Sequence, residues 1–158
     1  ASGCLFQSVW NLLAGRSVTE GIRDYDLFYY DDDVSWEAEN EVIKKVCELF
    51  ADLDAHIEIR NQARVHLWYE EKFGISYPPL RSARHAIRRF PTRASAVGIT
   101  KLSDGRLVYY APFGFKELFD MEIRPNRRLE IEDVYNKKAE RWAAQWPMLK
   151  LSAWHDHD

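Results

Sequence analysis

Apolar residues recur at Leu5, Val9, Leu12 and Leu13, the spacing of one helical face, and predict a helix over residues 4 to 14 that Gly15 stops. The period then changes. Residues 21 to 30 are rich in aromatic and branched side chains, open on Gly21 and close on Asp31-Asp32-Asp33, which predicts a strand. Asp33 or Ser35 is placed to cap a long helix ending near Leu53, with Trp36, Val42, Ile43, Val46, Leu49 and Phe50 as its apolar stripe. Glu37, Glu39 and Glu41 fall where the helix dipole favours acids, and read as a solvated face. Residues 55 to 60 alternate, with Ile57 and Ile59 on one side and His56, Glu58 and Arg60 on the other.

Asn61 to Phe73 predicts a further helix, stopped by Gly74 and Tyr77-Pro78-Pro79, with His66, Trp68 and Tyr69 reading as structural. Ser82 to Phe90 predicts a short helix with Arg81, Arg84 and Arg88 along one face and Arg89 and Arg93 beside it. Salt bridges to the many glutamates are the expected use of that stripe, with phosphate binding as the alternative. Residues 94 to 102 and 107 to 111 predict a hairpin about Ser103-Asp104-Gly105. A short helical segment through Phe119, a last strand at Met121 to Arg124 and a closing helix from Ile131 to Trp146 complete the pattern, which is α+β. The tail His155-Asp156-His157-Asp158 reads as a frayed end whose side chains could scavenge a metal.

At 158 residues the chain is one domain, 1–158. It opens with Ala-Ser-Gly in place of Met, which leaves room for a missing N-terminal piece. A net charge of −3 argues against coating nucleic acid by bulk charge, though not against a local basic groove. Cys4 and Cys47 lie far apart without metal-type spacing, so a disulfide framework is not expected and a reducing cytoplasm is. No apolar run approaches the roughly 20 residues of a membrane span, and no signal peptide is visible, so no membrane partner is expected.

Asp24 and Asp26 point to one face of the first strand, where two carboxylates repel and resist burial. Such a pair is ordinarily a solvated strand end; a hard divalent cation offers another reading, because it removes the repulsion and takes oxygen ligands. If the two strands neighbour each other, as consecutive strands usually do, Glu58 joins the same face. Three carboxylates with open positions suit Mg²⁺, or Mn²⁺, bound together with a substrate's phosphates. Ser2-Gly3, just before the first helix, could hold an anion on backbone N–H groups or simply open the helix.

This order of glycine turn, helix, Asp-x-Asp strand, helix and strand with a third acid resembles the polymerase-beta-type nucleotidyltransferase superfamily. Ser2-Gly3-Cys4, residues 10 to 16 and Asp24-Tyr25-Asp26 look like a divergent form of the motif in tRNA nucleotidyltransferases. Val9-Trp10-Asn11, Arg23-Asp24-Tyr25-Asp26, the string from Glu58 to Tyr69 and Ala111-Pro112-Phe113-Gly114 are similar to a family of small bacterial nucleotidyltransferase-like proteins. The resemblance implies that fold, a mixed sheet with flanking helices, and metal-dependent transfer of a nucleotidyl group from an NTP to an acceptor such as a small molecule, protein or RNA end. It implies a two-metal site in which Asp24, Asp26 and Glu58 are ligands and catalytic carboxylates. Ser2, Gly3, Arg60 and Arg64 become candidates for phosphate or acceptor contact, and Asn61 either joins them or caps its helix. The chain departs from the superfamily in Gly3-Cys4, in a longer loop before Asp24, in Gln7 where the tRNA enzymes carry an arginine, and in Glu58 where Asp is common. An alternative is a catalytically weak nucleotide- or RNA-binding module on the same scaffold, such as a toxin–antitoxin component.

Overall fold

The computed structural model describes residues 1–156; His157 and Asp158, and with them half of the tail considered as a metal scavenger, lie outside the described residues. Strands β1 (Tyr25–Tyr29) and β2 (Ile57–Asn61) form a parallel ladder with Asp26 opposite Glu58 and Phe28 opposite Arg60. Helix α1 (Gly3–Leu13) precedes β1, and helix α2 (Trp36–Leu49) makes the crossover between the strands that a parallel pair requires. Ser35 is the α2 cap: its hydroxyl accepts from Ala38 N–H at 3.3 Å, while Asp33 accepts from Ser35 N–H at 2.9 Å.

Two departures follow from a single buried acid. Glu39 is no part of a solvated face: its carboxylate accepts from Asn61 N–H at 2.9 Å and pairs with Arg64 Nε at 3.0 Å. Arg64 also donates to Val34 O at 2.6 Å, so the segment after β2 is tied back to α2. The continuous helix expected over residues 61 to 73 is instead a 3₁₀ helix, Gln62–Leu67, followed by α3 (Tyr69–Phe73). Tertiary tethers override the helical period there. The α2 apolar stripe is only half covered, and Trp36 and Leu49 stand in solvent.

Helix α4 (Ala83–Ile87) is shorter than its arginine pattern suggests and is capped by Ser82 Oγ, which accepts from His85 N–H at 3.1 Å. Strands β3 (Gly98–Lys101) and β4 (Leu107–Tyr110) form the expected antiparallel hairpin. After the short α5 (Lys116–Phe119), β5 (Glu122–Ile123) pairs in parallel with β6 (Lys150–Leu151), a strand with no signal in the sequence. The sheet is thus divided into three two-stranded ladders among the described residues.

The largest core joins α1 to α6 (Glu132–Gln145) through rings. Phe6 meets Trp10 and Trp142 edge-on at 4.7 and 4.8 Å, and Trp10 meets Trp146 at 5.4 Å. Trp146 donates its indole N–H to Asn11 Oδ1 at 3.0 Å, and Trp10 donates to Leu118 O at 3.1 Å. Tyr69 packs on Tyr77 at 4.3 Å in a smaller core with Val65, Leu80 and Ala86. No helix is long and apolar enough to cross a membrane among the described residues.

Candidate active site

The parallel register places Asp26 and Glu58 side by side on one face of the ladder, about 4.8 Å apart in backbone terms, with Asp24 one residue before β1 and of the same parity. The other face carries Leu27, Ile57 and Ile59 against α2. Helix α1 starts beside the acids. A Cβ built on Gly3 would lie 3.8 Å from Asp24 Oδ1 and 3.2 Å from Gln7 Nε2, so the glycine keeps a gap between the helix start and the carboxylate.

The electrostatics bear the marks of crowded negative charge. Burial pushes the Asp26 carboxyl above its ordinary pKa, Asp24 and Glu58 push it further, and the Ala1 amino group and Lys138 oppose them. Burial lowers the Lys138 ammonium pKa, Arg141 adds to that, and Asp26 and Asp24 pull it back. Lys138, on α6, thus lies within electrostatic range of the acids. A lysine three residues after Tyr135 and four before Trp142, on the helix's buried stripe, is a signal the sequence does carry.

Glu58 is presently occupied elsewhere: His56 Nδ1 lies 3.9 Å and Arg60 Nη2 3.7 Å from its carboxylate. In keeping with this, no group of three His, Cys, Asp or Glu side chains stands assembled as a metal cage among the described residues. The donor set nevertheless fits a hard divalent cation. It consists of three carboxylates of one parity, with the Gly3 gap beside Asp24 and weak, half-exposed ion pairs that release Glu58 readily.

A cavity of about 490 Å³ opens next to Asp26, walled by Phe28, Arg84 and Ile87 on one side and by Thr100, Lys101 and Tyr110 of the hairpin on the other. Arg84 sits over the Tyr110 ring at 5.4 Å. Arg84 stands out in the sequence only as part of the arginine stripe, and the other hairpin and α4 residues do not stand out, because only the packing of α4 against the hairpin brings them to Asp26.

Three of the residues expected to contact nucleotide are engaged within the fold. Ser2 donates its backbone N–H to Val97 O at 2.9 Å, so that donor is consumed by the fold. Asn61 faces away from the acids, and its side chain accepts from Asp31 N–H and Ala63 N–H and donates to Asp31 O and Asp33 O. Arg64 is held by Glu39 and Val34 and stacks on Trp36 at 5.7 Å. Arg60, by contrast, shares the face of Glu58 and is largely exposed.

A family model described as Nucleotidyltransferase matches residues 1–151. An NMR structure said to reveal a CCA-adding enzyme head domain superposes with a TM-score of 0.73 at 24% sequence identity, over 97% of this chain and 80% of that one, a likeness of fold. No curated protein sequence matches the chain.

Proposed function

The chain belongs to the nucleotidyltransferase family, and from that membership we propose that it transfers a nucleotidyl group from an NTP to an acceptor hydroxyl at the Asp24, Asp26 and Glu58 face. The observation that carries this reading is the β1–β2 register, which sets Asp26 against Glu58 beside a cavity of about 490 Å³. The three carboxylates would hold magnesium, which when bound neutralises the triphosphate and stabilises the attacking and leaving oxygens. Phe28 and Tyr110 offer the cavity ring surfaces for a base, and Arg84 and Lys101 offer positive charge to the phosphates. In the transfer, the acceptor oxygen bonds to the α-phosphorus as the bond from that phosphorus to the bridging oxygen breaks and pyrophosphate leaves. Glu58, freed from His56 and Arg60, takes the hydroxyl proton.

The test is thermal denaturation with each NTP and Mg²⁺, alongside an assay for pyrophosphate release. A ligand that binds only the folded state raises the melting temperature by mass action. The wild type should shift, and Asp26→Asn should lose most of the shift and all transfer. Equal shifts in the two proteins would overturn the site. A shift without transfer to any acceptor would favour a nucleotide-binding module, a reading supported by the engagement of Ser2 N–H with Val97.

A further inference from the structure

Residues 81 to 93 contain five arginines and no acid, and residues 124 to 128 contain three more arginines. The two segments are stitched together. Asn126, almost fully buried, donates its side-chain N–H₂ to Arg88 O and Phe90 O, both at 2.8 Å, and its backbone N–H to Pro91 O at 2.9 Å. The stitching sets Arg128 beside Arg88, Arg89 and His85 around a cleft of about 370 Å³. Arg93 pairs with Glu117 at 2.9 Å and Arg124 with Glu122 at 3.0 Å, but the salt bridges expected along the face of the stripe do not form among the described residues. Among the described residues, none of Arg81, Arg84, Arg88, Arg89 and Arg128 pairs with a carboxylate. Arg89 is fixed by donating to Pro78 O at 2.6 Å and by lying over the Tyr77 ring at 4.9 Å.

Holding guanidinium groups of one sign around a concavity, with no carboxylate paired to them among the described residues, costs electrostatic energy that a bound anion would recover. The His85 imidazole, on the same wall, registers that field: burial lowers its pKa first, and then Arg89, Arg81, Arg88 and Arg128 lower it further. Guanidinium forks match the geometry of phosphate oxygens. The cleft also stands next to the chemistry. Helix α4 spans only five residues, and three of its residues, Ala83, Arg84 and Ile87, wall the cavity that Asp26 lines.

We infer that the cleft lined by His85, Arg88, Arg89 and Arg128 is a second phosphate-binding site, which holds a phosphoryl or phosphodiester group of the acceptor. Its assignment to the acceptor rests on the transferase reading; its affinity for phosphate does not. The source of that phosphate is either a small phosphorylated molecule or the backbone of a nucleic-acid strand.

The experiment is done in EDTA, where the carboxylate face has no cation and repels phosphate. Pyrophosphate is titrated while the His85 imidazole is followed by NMR, and a labelled single-stranded oligoribonucleotide is titrated by anisotropy at several salt concentrations. Saturable binding of either probe is expected in the wild type, weakened about tenfold or more in Arg88→Gln/Arg128→Gln, whose exposed side chains are not needed for folding. Arg88→Lys/Arg128→Lys, which keeps the charge, should restore part of it. Tighter oligonucleotide binding, with a salt slope that falls by about one for each arginine removed, supports a strand as the source. Binding of pyrophosphate alone supports a small phosphorylated acceptor. Absence of saturable binding, or equal binding in wild type and the Gln variant, overturns the inference. So does markedly tighter binding in Asp26→Asn, which lessens the repulsion at the carboxylate face and would put the anion there, leaving the transferase reading standing.

Discussion

Asp26 is the residue whose environment sets it apart. Its carboxyl is pushed up chiefly by burial and next by Asp24, so its ionised form is less favourable in the folded chain than in the unfolded one. The sign of the linkage follows. Asp26 imposes no penalty well below its ordinary value of 3.8, and an increasing one as pH rises through the interval up to its higher folded value. Without metal, Asp26→Asn should therefore melt higher than wild type at neutral pH, by roughly 0.5–1 kcal/mol once partial exposure and solvent screening are allowed for. The gap should close as pH falls below the ordinary aspartate range. Parallel melting curves from neutral to acid pH check this, and a gap that persists in acid would mean the cause is not ionisation. Asn61 shows the opposite use of a polar group. It is buried, accepts two hydrogen bonds and donates two, and so pins the Asp31–Asp33 turn to β2 on the face opposite Glu58.

Among the elements, α1 and the β1–β2 ladder form the working unit. The first turn of α1 meets Asp24 at Gly3, where the missing side chain preserves a gap. Gly3→Ala introduces a better helix former and crowds only the flexible end of Gln7, so folding stability should stay within about 1 kcal/mol of wild type. The stabilisation by Mg²⁺ and NTP should fall, because the Cβ intrudes on the space between helix start and carboxylate. Calorimetry on the two proteins separates these effects, and an unchanged NTP affinity would show that the gap is not used. The α2 crossover matters for the same unit: the parallel pairing it permits is what sets Asp26 opposite Glu58.

Across the whole molecule, the aromatic core clamps the C-terminal helix onto the N-terminal one. Trp142 lies 4.8 Å from Phe6 and 5.8 Å from Trp10, and its indole nitrogen is buried without a hydrogen-bond partner among the described residues. Its contribution is therefore packing. Trp142→Ala should cost about 3–5 kcal/mol in urea unfolding. It should also weaken the NTP response, since α1 carries Gly3 and α6 carries Lys138. Trp142→Phe should retain most of the stability. A small loss in the Ala variant would show that the two helices are held by other means.

How much of this was legible in the chain follows from the range over which each cause acts. Period-2 and helical alternation, Ser35 as a cap and Gly15 and Gly74 as stops are local causes, and they located α1, β1, α2 and β2 and gave Asp24, Asp26 and Glu58 a common parity. The α+β class and the nucleotidyltransferase resemblance came from the same short-range patterns. Long-range contacts decided the rest. The segment after β2 is tied back to α2 through the buried Glu39, which pairs with Arg64 and accepts from Asn61 N–H, and the expected continuous helix is interrupted there. Among the described residues Arg88, Arg89 and Arg128 found no carboxylates, and Asn126, by holding residues 124 to 128 against residues 88 to 91, leaves these cations facing one another around a cleft. Lys138 reached Asp26 only through the packing of α6 on α1, and the short β5–β6 pair formed with no alternation long enough to announce it. Sequence periodicity fixes which way a side chain points from its own element, whereas its partner depends on which elements pack together, and that is a property of the folded chain.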